Sequence, residues 1–136
     1  MNIYQAKTIP FSGTSYKEIY KKAMEAYRQI YRKTKRRTYI RSAFFNKKKV
    51  FLSLFWQHME DKFSYNDKVR RLKYFPCALE LIQHSKFNPI SKENVDRRSE
   101  ILHRFAGKAK NNITFYVQIK EDKRSGERFL ISIFPA

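Results

Sequence analysis

Between Tyr16 and Tyr31 the large apolar side chains return every three or four residues. Tyr16, Ile19, Tyr20, Ala23, Tyr27, Ile30 and Tyr31 fall on one face of a helix, while Lys21, Lys22, Arg28, Arg32 and Lys35 lie mostly elsewhere. Ser15-Tyr16-Lys17-Glu18 reads as a capping box, in which the Ser15 hydroxyl accepts from the third-position amide and Glu18 reaches back. This predicts a helix running to about Lys35. Upstream, residues 1–14 read as an irregular arm, because Pro10 and Gly13 break regular structure. Thr38–Phe45 has the β-branched and aromatic content of a short strand, and Asn46–Lys49 is a turn or a helix start. Val50–Lys62 reads as a helix with Phe51, Leu54 and Phe55 inward and Trp56 flanking them. A short helix is predicted over Asn66–Lys73. Pro76 then opens a further one, Cys77–His84, held down by Leu79, Leu81 and Ile82. Residues 85–98 form a polar connection with a turn at Asn88-Pro89.

The period then changes from helical to alternating. Ser99–Phe105 reads as a strand and Gly107–Asn112 as a basic turn. In Thr114–Lys120, Phe115, Val117 and Ile119 alternate with Tyr116, Gln118 and Lys120. In Arg128–Phe134, Phe129, Ile131 and Ile133 alternate with Leu130, Ser132 and Phe134. The stretch from Glu121 to Glu127, with Ser125-Gly126, joins the two as a hairpin loop. Alternation on neighbouring strands implies an antiparallel sheet with one buried and one open face. The expected fold is a single α+β domain over residues 1–136. Residues 15–84 are mainly helical, and those N-terminal helices pack on a C-terminal antiparallel β-meander at 99–135.

Composition adds a partner to this picture. The chain has 30 Lys and Arg against 12 Asp and Glu in 136 residues, a formal charge of +18. From Lys17 to Lys49 there are thirteen basic residues and two acids, interleaved with Tyr20, Tyr27, Tyr31, Tyr39, Phe44 and Phe45. Such a surplus inside folded elements points to a polyanion, RNA in particular, whose phosphates it holds and whose bases it stacks. A hydrophobic content of 42% allows a core, and three Gly with four Pro argue against disorder. Cys77 is the single cysteine, which rules out an internal disulfide and a Cys/His zinc pattern, and it reads as a small buried residue. The first residues lack the pattern of a secretory signal. The longest apolar patch, Val50–Trp56, is too short to span a membrane, so a cytoplasmic protein without membrane contact is expected. Glu60 and Asp61 are adjacent and would point in different directions on a helix, an arrangement that argues against two-metal chemistry. No Gly-rich phosphate loop or GxSxG elbow occurs, and no metal or cofactor is expected.

Candidate chemistry gathers on the open face of the meander, where Tyr116, Gln118, Lys120 and Ser132 project together. The preceding strand brings His103 and Arg104, of which a regular strand sends only one to that face. Arg104 faces out if Leu102 is partly exposed, and His103 if a bulge occurs near Gly107. The set suits RNA phosphodiester cleavage without a metal. His103 moves protons near neutral pH, Arg104, Lys110 and Lys120 stabilise developing charge, and Tyr116, Gln118 and Ser132 donate hydrogen bonds. The plainer alternative is a solvated polar sheet face. His58 reads as structural, and His84 ends a helix, where a cation is favourable against the dipole. Further nucleic-acid contacts are expected from Arg36, Arg37, Arg41, Lys47, Lys48 and Lys49. Arg70, Arg71 and Lys73 precede the helix start at Pro76, Arg97 and Arg98 precede the first meander strand, and Lys108 and Lys110 sit around the basic turn.

Residues 101–135 carry a His-Arg strand start (His103, Arg104), a Gly-containing basic turn (Gly107, Lys110), a polar middle strand (Tyr116, Gln118, Lys120) and a last strand with Ser132. This run resembles the barnase/EndoU/colicin/RelE-like nuclease superfamily, the BECR fold, and within it the phage-associated branch. The resemblance implies helices before an antiparallel sheet and a metal-independent ribonuclease, often a toxin aimed at tRNA or translating mRNA. It implies His103 as general acid or base, Arg104, Lys110 and Lys120 as phosphate ligands, and Gln118 and Ser132 as supporting donors. The leading expectation is a toxin-like endoribonuclease acting through 2′-hydroxyl attack, neutralised by an acidic antitoxin or immunity protein. The alternatives are a non-catalytic RNA- or DNA-binding protein of a phage or mobile element, and a scaffold whose basic face meets an acidic protein.

Overall fold

In the computed structural model of the chain, residues 2–62 and 64–136 are described, the side chains of 61 and 62 excepted. The direction expected for Asp61 therefore lies outside the described residues. In chain order the elements are β1 (Ile3–Gln5), α1 (Tyr16–Thr34), β2 (Tyr39–Ser42), β3 (Lys48–Phe51), α2 (Ser53–Lys62), α3 (Tyr65–Lys73), α4 (Phe75–His84), β4 (Ile90–Glu93), β5 (Glu100–Lys108), β6 (Thr114–Asp122) and β7 (Arg128–Pro135). The fold is α+β. The strands join one sheet in the order β1-β5-β6-β7-β3-β2, with β4 beside β5 on the edge that β1 also uses.

Three strands depart from the expected helices-then-meander order. The arm contains β1, which runs parallel to β5 with Ile3 opposite Ala106. Residues 48–51 form a strand instead of a turn running into a helix. Val50 and Phe51 pair parallel with Arg128 and Phe129, so α2 begins only at Ser53. A β-branched and an aromatic residue fit a pleated surface at least as well as a helix, and here a distant partner strand decided. In the predicted polar connection, β4 pairs antiparallel with β5 although all four of its residues are exposed. β5, β6 and β7 do pair antiparallel. They form the middle of a mixed sheet, however, and not a separate antiparallel meander.

One face of β6 and β7 is the floor of the core. Phe115, Val117, Ile119, Leu130 and Ile133 are fully buried, in one cluster with Ile19, Ala23, Phe55, Leu72, Phe75, Ala78 and Leu81 from the helices. In β7 the alternation breaks. Gln118 pairs with Ser132 but Ile119 with Leu130, leaving Ile131 as the extra residue of a bulge. The bulge turns Leu130 inward with Ile133 and sends Phe129 to the open side, the reverse of the expected assignment. Gly107 lies where β5 meets α4. A Cβ there would come within 2.5 Å of Phe115 and 2.9 Å of Leu81, so any larger residue would have to displace a packed side chain.

Helices α1 and α3 begin at caps that their sequences carry. Ser15 caps α1 by accepting from the Glu18 amide at 3.1 Å, and Ser64 caps α3 in the same way from Asp67. The tyrosine stripe of α1 packs on the core, with Tyr20 and Tyr27 against Trp56 at 6.0 and 5.1 Å. The arm is fastened by Glu80 of α4, whose carboxylate accepts from the hydroxyls of Tyr4 and Thr8 and from the amides of Lys7 and Thr8. Among the described residues, no helix is long and apolar enough to cross a membrane.

Candidate nucleic-acid interface

Side-chain alternation and strand register set out the open face in rows. Arg104, Gln118 and Ser132 stand opposite one another across β5, β6 and β7. One row to the side are Ala106, Tyr116 and Phe134, and on the other side Leu102, Lys120 and Phe129. On the edge, Ile90 pairs with Arg104 and Lys92 with Leu102. Ile90, Lys92, Leu102, Arg104, Tyr116 and Gln118 line a shallow cleft of about 280 Å³.

The centre of the face is an aromatic pair held between two guanidinium groups. The Tyr116 and Phe134 rings lie 5.3 Å apart at a tilt of 34°. The guanidinium carbon of Arg104, an exposed residue, is 5.8 Å from the first ring and 5.4 Å from the second. Arg71 reaches over from α3 to within 5.6 Å of the Phe134 ring. Its Nη1 donates to the Ser132 hydroxyl at 2.9 Å and to the Ile133 carbonyl at 3.4 Å, which fixes the guanidinium at the sheet. Burial pulls the Arg71 guanidinium below its ordinary pKa, against the opposing pull of Asp67 and with a smaller contribution from Arg70. Arginine stays charged across the physiological range even so. Lys120 lies 3.5 Å from Glu100 and 5.4 Å from the Phe129 ring centre, so part of its charge is already met within the sheet.

His103 is not part of this face. It points to the covered side and is 7% exposed, with the Phe45 ring centre 5.1 Å away. Its Nδ1 lies 2.7 Å from the Ser91 hydroxyl and its Nε2 2.8 Å from the Glu121 carboxylate. Arg128 binds the other oxygen of Glu121 at 3.1 Å and places its guanidinium carbon 4.4 Å above the Phe45 ring. The half-buried Leu102 meets the condition under which Arg104 faces out, and the bulge lies in β7, not near Gly107. The sheet thus brings together five of the six expected catalytic residues, Arg104, Tyr116, Gln118, Lys120 and Ser132, and places His103 on its other side.

Of the expected phosphate contacts, Arg71 joins the open face directly, and Lys108 follows Ala106 on the same side of β5. Lys110 is exposed in the turn after it. Arg70 turns to Asp67 at 3.5 Å, and Arg97 to Glu100 at 4.0 Å. Lys73 ends α3, and Arg98 is exposed in the loop before β5. Arg36, Arg37, Arg41, Lys47, Lys48 and Lys49 gather around the β2–β3 hairpin. There Arg37 stacks 3.7 Å over Phe51 and binds Glu127 at 2.6 Å, while Lys49 lies 4.6 Å from the Tyr39 ring centre. Phe134 was legible as an open-face residue, since it shares its alternation with Ser132. Phe129 was hidden by the bulge, and Lys92 and Ile90 by the lack of any burial period in β4.

Cys77 is fully buried as expected, and burial, reinforced by Glu80, pushes its thiol up to about 12, which removes it as a nucleophile. Among the described residues, no three His, Cys, Asp or Glu side chains converge as metal ligands. The open face therefore offers fixed cations, aromatic surface and a carboxamide, a set suited to phosphates and bases. No protein-family model matches this chain, and no curated protein or solved structure is significantly similar to it.

Proposed function

We propose that this protein binds single-stranded nucleic acid, RNA above all, across the open face of its sheet. The observation that carries this reading is the Tyr116–Phe134 pair flanked by Arg104 and Arg71. Unpaired bases expose π faces for such rings, whereas a duplex hides them, and the guanidinium groups meet the phosphates on either side. Gln118, next to Arg104, supplies donors and an acceptor for base edges.

Metal-independent RNA cleavage is the second reading, favoured by the row Arg104–Gln118–Ser132 lying between Tyr116 and Lys120. It takes the resemblance to the barnase/EndoU/colicin/RelE-like superfamily as its premise. The ribose 2′-oxygen would attack the adjacent phosphorus and the 5′-oxygen would leave, giving a 2′,3′-cyclic phosphate and a 5′-hydroxyl. With His103 on the covered face, the proton transfers would fall to Tyr116 and Lys120, and Arg104 would stabilise the phosphorane. An acidic antitoxin or immunity protein would fit the same basic face.

Fluorescence anisotropy with a labelled single-stranded RNA tests the first reading. Arg104→Ala and Phe134→Leu are each expected to weaken binding about tenfold, with duplex RNA bound less tightly than the single strand. Arg32→Ala, on the exposed side of α1, is expected to change it less than about twofold. Equal effects from all three variants would move the interface off the sheet. Incubation in EDTA decides between the two readings. Fragments ending in cyclic phosphate, lost in Tyr116→Phe or Lys120→Ala, would establish the enzyme.

A further inference from the structure

A second basic site lies at the β2 edge of the sheet, apart from the Arg104–Gln118–Ser132 row, between the β2–β3 hairpin and the C-terminal end of α4. It is a pocket of about 680 Å³, lined by Arg41, Phe44, Asn46, Lys47, Gln83 and Lys86 together with Ala43. That volume is within the range of small-ligand sites. Arg41 comes from β2, where its guanidinium carbon also stands 5.5 Å from the Tyr39 ring centre, Lys47 from the hairpin turn and Lys86 from the segment after α4, so three separate elements border one hollow with basic residues. Among the described residues none of the three is ion-paired, whereas Arg37, Arg70, Arg97, Lys120 and Arg128 all face carboxylates. Unneutralised positive charge in a concave surface costs self-repulsion and focuses the field on an incoming anion.

The pocket is also held in shape. The hairpin turn passes through Asn46 and Lys47 at φ 57° and 63°, and the Lys47 amide donates to the Ser42 carbonyl at 2.7 Å. The Arg41 guanidinium donates to the Lys47 carbonyl at 3.0 Å, which ties the cation to the turn. The Ala43 amide donates to the Ile82 carbonyl at 3.0 Å, joining the hairpin to α4 and satisfying a carbonyl that would otherwise repel an anion. Phe44 is half-buried, wedged edge-on against Phe45 at 4.9 Å and Phe105 at 5.5 Å, so its ring is fixed and borders the hollow. Asn46 and Gln83 add carboxamides at the rim.

We infer that this pocket binds a nucleoside monophosphate unit, its phosphate among Arg41, Lys47 and Lys86 and its base against Phe44, with Asn46 and Gln83 meeting polar edges. A bare anion would leave the aromatic wall unused, and an apolar ligand would leave three charges unmet. The unit has two sources, a free nucleotide or the phosphorylated end of an RNA strand. The site stands on residues other than the open-face set and does not depend on the binding proposed there.

Isothermal titration calorimetry tests it with inorganic phosphate, AMP, UMP, and short RNAs carrying a 5′- or 3′-terminal phosphate or hydroxyl groups only. AMP or UMP is expected to bind one saturable site with Kd of about 1 mM or tighter, at least roughly tenfold tighter than phosphate. Lys47→Ala combined with Lys86→Ala, both exposed residues, is expected to weaken this about tenfold or more. Phe44→Leu is expected to weaken the nucleotides but not phosphate. Arg104→Ala, which weakens binding to the open face, is expected to leave nucleotide affinity within about twofold. A terminal phosphate that tightens RNA binding only while Lys47 and Lys86 are present identifies the strand end as the source. Nucleotide binding without that gain identifies the free nucleotide. Nucleotides held no tighter than phosphate, or equally well by the double variant with its thermal melt unchanged, overturn the assignment.

Discussion

At the scale of single residues, Glu80 and His103 show how differently a polar side chain is used when it serves the fold. Burial raises the Glu80 carboxyl, but hydrogen bonds from the Thr8 and Tyr4 hydroxyls and the Lys7 and Thr8 amides outweigh it and bring the group down from 4.5 to about 2. A carboxylate with a depressed folded pKa adds stability that is complete above its unfolded value and disappears as pH falls through the folded one. The contribution of Glu80 is therefore present above about pH 4.5 and lost towards pH 2. In urea unfolding, wild type is expected to lose more stability between about pH 5 and pH 3 than Glu80→Gln does. A parallel loss in both proteins would deny Glu80 that role. His103 ties β4 to β5 through Ser91 and anchors Glu121. His103→Ala leaves the Ser91 hydroxyl and one Glu121 oxygen without a partner. We expect a cost of about 1–3 kcal/mol in urea unfolding and an RNA affinity within about twofold of wild type. Loss of RNA affinity from a variant that still folds would return His103 to the functional site.

At the scale of elements, the site depends on how β5, β6 and β7 meet their neighbours. The Ile131 bulge lets Leu130 and Ile133 both enter the core while Ser132 and Phe134 stay outside. A regular strand would have placed Phe129 inside and broken the row with Lys120. Gly107 permits the close approach of β5, Phe115 and α4. Gly107→Ala is expected to destabilise by about 1–3 kcal/mol, because its methyl lands on a buried ring within a packed core. Its thermal unfolding midpoint measures this, and an unchanged midpoint would mean that Phe115 moves aside at little cost. The α1 cap and stripe and the β6 alternation were legible because each pattern lies within one continuous segment. β1 and β4 carry no such pattern. Each has an exposed or half-buried run that is extended along the free edge of β5.

At the scale of the whole molecule, the proposed RNA binding would draw on the +18 charge more than on any single contact. Binding to single-stranded RNA should fall steeply with salt, with a log–log slope of about −0.7 for each phosphate neutralised. Arg104→Ala is expected to flatten that slope by about 0.7, and Arg70→Ala by less, since Asp67 already faces Arg70. Equal changes for the two would show that the bound strand ignores the aromatic pair and follows diffuse charge.

The amino-acid sequence alone determined the basic character, the long amphipathic α1, the alternating β6 and the company of Tyr116, Gln118, Lys120 and Ser132. Each of these follows from composition or from side-chain spacing along one segment. Tertiary structure decided the mixed sheet, the faces of His103 and Phe129, and the arrival of Arg71 at Ser132. Those depend on which distant strand fills an edge, on one bulged residue that reverses the faces before it, and on a helix that brings position 71 beside position 132. Spacing along the chain carries no record of such meetings, because they are fixed by the burial of the whole core at once.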